Sequence, residues 1–188
     1  MKKILYSIWE IAEVFIIALI AVAIVKYFLI QPFIVNGASM EPSFYNGDYL
    51  LVDELSYRFR EPERGDVIVF HSPQDNSIYY IKRIIGLPGE TVEVKNNQVT
   101  VYNDQDKKGF VLKEDYLPNN LTWAPKDTAL PIKIDPGQYF VLGDNRLNSM
   151  DSRYWGTLNQ NAIVGLVKVR LWPVSEVKVF KELNYQLQ

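Results

Sequence analysis

From Val14 to Ile30 the chain reads VFIIALIAVAIVKYFLI, an apolar stretch with one charge, Lys26, near its far end. As a helix rising about 1.5 Å per residue it would extend roughly 25 Å, close to the hydrocarbon thickness of a bilayer. Tyr27, Phe28 and Phe33 suit the membrane interface, and Lys26 can reach the headgroups along its aliphatic stem. Lys2 and Lys3 precede the stretch and favour a cytoplasmic N terminus, a signal that Glu10, Glu13 and Lys26 weaken without reversing. A removable export signal would have a shorter apolar core, about 7–15 residues, and a small-x-small site at its end. This stretch instead runs into Gln31-Pro32-Phe33-Ile34-Val35. The expectation is a short cytoplasmic N terminus at 1–10, an uncleaved single transmembrane helix at 11–31, and an extracytoplasmic domain at 32–188.

Composition narrows what that domain can do. Of the 188 residues, 48% are hydrophobic and 22% charged, which excludes a disordered chain and suits one compact core beside the anchor. A net charge of -2 offers no field for phosphate backbones, so nucleic acid is not an expected partner. Cysteine is absent, which rules out disulfides, a thiolate nucleophile and zinc–thiolate sites. His71 is the single histidine, so a multi-histidine metal centre is impossible and no metal or cofactor is expected.

Beyond Pro32 the pattern changes to short β-type runs. The candidate strands are Tyr49–Val52, Asp66–Phe70, Tyr79–Ile85, Thr91–Val94, Gln98–Tyr102, Gln138–Leu142 and Ile163–Leu171. Asn96-Asn97 between two alternating runs reads as a hairpin turn, and Gly65-Asp66, Pro88-Gly89, Pro136-Gly137 and Gly143-Asp144 separate the others. The predicted fold is mainly β, a sandwich or partly closed barrel, with a polar insert or long loop at about 103–134.

Three runs could carry chemistry. Ser39 lies in Gly37-Ala38-Ser39-Met40-Glu41-Pro42-Ser43, where small neighbours permit close approach of a substrate and Pro42 stiffens the turn. A serine is inert without a base, and otherwise merely caps a turn. Lys82, within Tyr79-Tyr80-Ile81-Lys82-Arg83-Ile84-Ile85, has apolar neighbours on both strand faces. If they bury it, desolvation lowers its pKa into the range of a general base; if they do not, it is a solvated surface lysine. His71, at a strand end, is the alternative base. The third run, Gly143 to Gly156, is dense in short polar side chains that can lock backbone and hold an amine, or can simply form a turn with a surface Asp–Arg pair.

Taken in order, these blocks resemble the type I signal peptidases, membrane-anchored serine–lysine endopeptidases that release exported proteins from their signal peptides. The matching blocks are the apolar stretch; Gly37 to Phe44; Arg64-Gly65-Asp66-Val67-Ile68 with Tyr80 to Gly89; and Gly143-Asp144-Asn145 through Asp151-Ser152-Arg153-Tyr154-Trp155-Gly156. The resemblance implies that Ser39 is the nucleophile, Lys82 the general base, and Ser149 the hydroxyl that orients the lysine amine. It makes Asp151 and Arg153 a pair supporting the last loop, with Asp144 and Asn145 shaping its start. The Ser39 N–H would stabilise the oxyanion. Some members place a second donor, a serine, where this chain has Gly37, which leaves the second donor open. Ser43 stands where threonine is usual and Leu147 where an acidic residue is frequent. Phe33, Val35, Met40, Phe44, Tyr80 and Ile81 are expected to line shallow pockets for small side chains around the cut. Implied partners are signal-peptide-bearing preproteins and the lipid bilayer, with a secretion translocon left open. The compact size resembles the enzymes of Gram-positive bacteria. The competing reading is a non-catalytic, membrane-anchored β-domain that binds within a secretion assembly.

Overall fold

The computed structural model describes residues 9–20, 30–117 and 130–180. Residues 9–20 form helix α1, and among the described residues no helix is long and apolar enough to cross a membrane. Most of the second half of the expected anchor, 21–29, lies outside the described residues, as do Lys2 and Lys3. The domain that follows is built from antiparallel β-structure, in agreement with the mainly β expectation.

The larger sheet contains β1 (Ile30–Ile34), β2 (Tyr49–Asp53), β3 (Val67–His71), β4 (Tyr79–Gly86), β9 (Gln138–Leu142), β10 (Leu158–Asn159) and β11 (Ile163–Trp172). They follow the path β1-β2-β11-β3-β4-β9-β10, with β12 (Lys178–Val179) added on β11. A second sheet pairs β7 (Phe110–Val111), β6 (Gln98–Tyr102), β5 (Thr91–Lys95) and β8 (Ile132–Lys133) in that order. Ile30 and Gln31, placed in the expected anchor at 11–31, are the first two positions of β1 and pair with Asp53 and Val52. Pro32 sits between them and Phe33 because β1 ends the sheet path, where a missing N–H breaks no ladder on the open side.

The central strands are apolar on both faces because both are covered. In β3, Val67 and Val69 enter one core with Met40, Phe44, Leu50 and Val52. Ile68 and Phe70 enter another with Ile84, Tyr139 and Val141. Strand β9 divides in the same way, Phe140 and Leu142 facing the second sheet's valines. A polar residue inside such a strand has no solvated face to occupy. That is why Lys82 and Arg83, adjacent in β4, are both buried.

The Asn96-Asn97 turn connects β5 to β6 with Lys95 opposite Gln98 and both asparagines at positive φ, 51° and 61°. This is the backbone that a two-residue hairpin requires and asparagine tolerates. The stretch expected as an insert at 103–134 supplies the short outer strands of the second sheet, with 118–129 outside the described residues.

Candidate active site

Ser39 sits in the loop between β1 and β2, a segment fastened at both ends. Val35 N–H donates to Asp48 O and Gly47 N–H to Val35 O, while Phe44 N–H donates to Met40 O. Buried Arg170 on β11 donates to Asp48 Oδ2 at 2.8 Å and tethers the loop to the sheet. Met40 and Phe44, expected in the substrate pockets, are fully buried beneath the loop and do not line the groove. Both pack into the core formed with Leu50, Val52 and Val67, so they anchor the turn instead of facing a ligand.

Lys82 reaches Ser39 from β4. Its Nζ lies 2.8 Å from Ser39 Oγ and 2.8 Å from Ile81 O, and only 3% of the residue is exposed. Burial disfavours the ammonium and lowers the pKa from 10.5 to about 8, with Arg153 acting in the same direction and Asp151 and Asp144 opposing. The solvated-lysine alternative is therefore wrong for this chain. His71 ends β3 opposite Tyr79, its Nδ1 2.7 Å from Asn76 O, and lines a separate shallow depression with Asn159 and Asn161.

The lowered pKa has a consequence for stability. Below about 8 both folded and unfolded chains hold the proton and the full burial penalty applies. Between about 8 and 10.5 the unfolded state binds more protons, so stability rises with pH. The penalty is on the order of 3 kcal/mol at about 1.4 kcal/mol per pKa unit. Lys82→Met should accordingly be more stable than the parent at pH 7, and that advantage should shrink toward pH 10.5. Paired urea titrations at the two pH values measure it.

The loop after β9 completes the arrangement. Asp151 is fully buried, accepts Gly143 N–H at 3.0 Å, caps helix α2 (Ser152–Trp155) through Arg153 N–H, and takes two bonds from the Arg153 guanidinium at 2.8 Å. Asp144 takes two bonds from Arg83, at 2.9 and 2.6 Å, and Arg83 also donates to Gly65 O. Asn145 bonds the Ser39 loop directly: its N–H donates to Ser39 O and its Nδ2 to Ala38 O, each at 3.0 Å. Ser149 departs from expectation. Its Oγ is buried and makes no hydrogen bond among the described residues, and Lys82 Nζ bonds Ser39 Oγ and Ile81 O instead. It packs against Gly143, where a Cβ would collide with Ser149 and fall 2.5 Å from Ser39 O. Gly143 is thus required by crowding.

Sequence reasoning passed over further contributors. Arg146 donates from Nε to Gly143 O and makes two bonds with buried Glu114, which locks the loop's turn. Tyr116 stacks 4.1 Å from Arg83. Arg170 and Asp48 hold the Ser39 loop. Each arginine stood in a visibly mixed run, but its partner lies tens of residues away. Gly37 adopts φ +100° and its N–H donates to Asn46 Oδ1 at 2.9 Å, so it offers neither a hydroxyl nor a free N–H to an oxyanion.

Beside Ser39 and Lys82 runs an open groove of about 400 Å³, lined by Phe33, Val35, Tyr80 and Ile81 and closed on one side by Asn148 and Met150. Among the described residues no three His, Asp or Glu side chains converge as metal ligands. The Ser39 hydroxyl thus lies against a buried lysine beside an apolar groove. The chain belongs to the signal peptidase family, peptidase S26, which matches residues 8–172. It is 37% identical over 180 residues to signal peptidase I of Bacillus amyloliquefaciens, covering 92% of this chain and 90% of that one. Signal peptidase IB of Staphylococcus aureus is 36% identical over 189 residues, covering 94% of each chain. Probable signal peptidase I-1 of a Synechocystis strain is 40% identical over 167 residues, covering 85% and 80%.

Proposed function

We propose that this chain is a membrane-anchored endopeptidase that removes N-terminal signal peptides from exported preproteins, cutting after Ala-x-Ala-type sites. The observation that carries the reading is the 2.8 Å contact between Ser39 Oγ and the buried Lys82 Nζ. Neutral Lys82 accepts the Ser39 hydroxyl proton as Oγ attacks the carbonyl carbon at the cut. The carbonyl oxygen becomes an oxyanion facing the Ser39 N–H. Collapse breaks the C–N bond, the lysine proton passes to the departing amine, and the mature protein leaves. Water, deprotonated in turn by Lys82, hydrolyses the Ser39 ester and frees the signal peptide.

The groove supports the choice of substrate. Phe33, Val35, Tyr80 and Ile81 line the groove next to Ser39 with apolar side chains, which suits small apolar groups on the substrate. The apolar segment 11–31 accounts for the anchor: it would hold the site at the bilayer surface, where a substrate fixed by its own apolar segment arrives at high effective concentration. On this reading the N terminus is cytoplasmic, the β-domain extracytoplasmic and the enzyme single-pass in the cell membrane.

The test is incubation of the detergent-purified full chain with a preprotein bearing an Ala-x-Ala site, followed by sequencing of the product's N terminus. A single cut after the second alanine, retained in His71→Ala, is the expected result. No cut by folded protein with lipid present would leave the non-catalytic binding domain as the better account.

A further inference from the structure

With Gly37 withdrawn, one main-chain donor, the Ser39 N–H, faces the oxyanion, and the structure indicates how it is aimed. That N–H belongs to the same peptide unit as the Ala38 carbonyl. The unit is trans, so its C=O and N–H point in opposite directions within one plane. Fixing the carbonyl fixes the N–H. The Ala38 carbonyl accepts from Asn145 Nδ2 at 3.0 Å, and the carbonyl on the far side of Ser39 accepts from Asn145 N–H at 3.0 Å. Both peptide units flanking the nucleophile are thus held by one residue of another loop. The Ser39 N–H itself makes no hydrogen bond among the described residues.

We infer that Asn145 is a positioning residue for transition-state stabilisation: its carboxamide sets the plane of the Ala38–Ser39 peptide so that the Ser39 N–H points at the developing oxyanion. The inference rests on the serine–lysine reading above. Two physical effects operate together. A peptide anchored at its oxygen does not have to reorganise when charge appears on its nitrogen side, so the donor is preorganised. A hydrogen bond accepted at the carbonyl also polarises the amide and strengthens its N–H as a donor. The residue type follows from the geometry. A carbonyl oxygen accepts only from a donor, so the Asn145 carboxamide must turn its nitrogen toward Ala38 O; an aspartate there would present a repelling oxygen. Asn145 leaves Lys82 untouched, since neither of its bonds involves the amine.

The experiment compares the full-length parent with Asn145→Ala and Asn145→Leu, the leucine keeping the volume without the donor. Removing the carboxamide should lower kcat by about 10–100-fold, less than the 10²–10³ typical of deleting an oxyanion donor outright, because the N–H itself remains. KM should stay within about twofold and the pH midpoint should not move, as expected for an interaction made in the transition state. A peptide aldehyde ending in Ala-x-Ala separates positioning from packing. Ser39 Oγ adds to the aldehyde carbon, its proton passes to Lys82, and the carbonyl oxygen becomes the oxyanion. The matching peptide alcohol binds the same groove without forming that oxyanion. Both variants should lose aldehyde affinity in step with kcat and keep alcohol affinity. Restoration by leucine, or equal losses for aldehyde and alcohol, would mean that Asn145 only packs the loop and would overturn the inference. A parent that neither cleaves the preprotein nor traps the aldehyde would remove the serine–lysine reading itself.

Discussion

Lys82→Ala should abolish peptide cleavage, with kcat falling on the order of 10⁴–10⁶-fold, the scale seen when one member of a nucleophile–base unit is removed. Without the amine, Ser39 Oγ must ionise in bulk solvent at the ordinary alcohol pKa, and the departing amine loses its proton source. Ser39→Ala should be as impaired as Lys82→Ala, and the double variant no worse than either, because the two groups act in one step. The parent's activity should climb with pH through about 8 and then level, following deprotonation of Lys82. In Lys82→Ala the residual rate should lack that inflection. Discontinuous cleavage assays from pH 6 to 10 measure both effects. Because Lys82 is buried and costly in its charged form, its alanine variant should fold at least as well as the parent, which keeps a loss of activity interpretable.

The second large effect is on stability. Asp151→Ala should cost about 3–5 kcal/mol, because it removes a carboxylate that takes two bonds from a buried guanidinium and accepts the Gly143 N–H. It also removes the cap of α2. For a chain of this size the melting temperature should fall by roughly 10 °C. The partner change is informative. Asp151→Ala combined with Arg153→Met, which removes the buried charge along with its carboxylate, should recover part of the loss, since part of the penalty is the loss of that carboxylate to a buried guanidinium and not the pair's net strength. Thermal scans of the parent and the two variants measure this. Activity should fall in Asp151→Ala as well, because Gly143 carries the close packing against Ser149 and the Ser39 carbonyl.

How much of this was legible in the sequence depends on the range of the interaction. Strands with period-two or doubly apolar patterns, such as Gln98–Tyr102 and Gln138–Leu142, coincide with their predicted limits, since burial on one or both faces writes itself into local composition. Strand β1 was hidden because Ile30 ends the apolar stretch, Gln31 follows it directly and Pro32 argues locally against a strand; only its place at the sheet edge permits it. The two-residue strands β10 and β12 are too short to have a period. At the site, Ser39 and Lys82 were legible as chemical types, and β4's apolar setting permitted a buried lysine. Their meeting across 43 positions is a tertiary fact. The groove residues show the same division. Phe33, Val35, Tyr80 and Ile81 line it, whereas Met40 and Phe44, equally apolar and also near Ser39 in sequence, turn inward. Hydrophobicity near a nucleophile does not distinguish a wall from a foundation. Ser149 was expected on the lysine amine and instead packs on Gly143, a matter of fractions of a turn in a loop without periodicity.

The most direct test of the account is the rate at which a serine-directed acylating reagent modifies Ser39, followed by intact mass and peptide mapping from pH 6 to 10, in the parent and in Lys82→Ala. The account predicts a single adduct on Ser39 whose rate of formation rises with an inflection near 8, and its loss together with the inflection in Lys82→Ala. Modification of Ser39 at the same rate in both proteins, or a rate in the parent that shows no inflection across this range, would contradict Lys82 as the base.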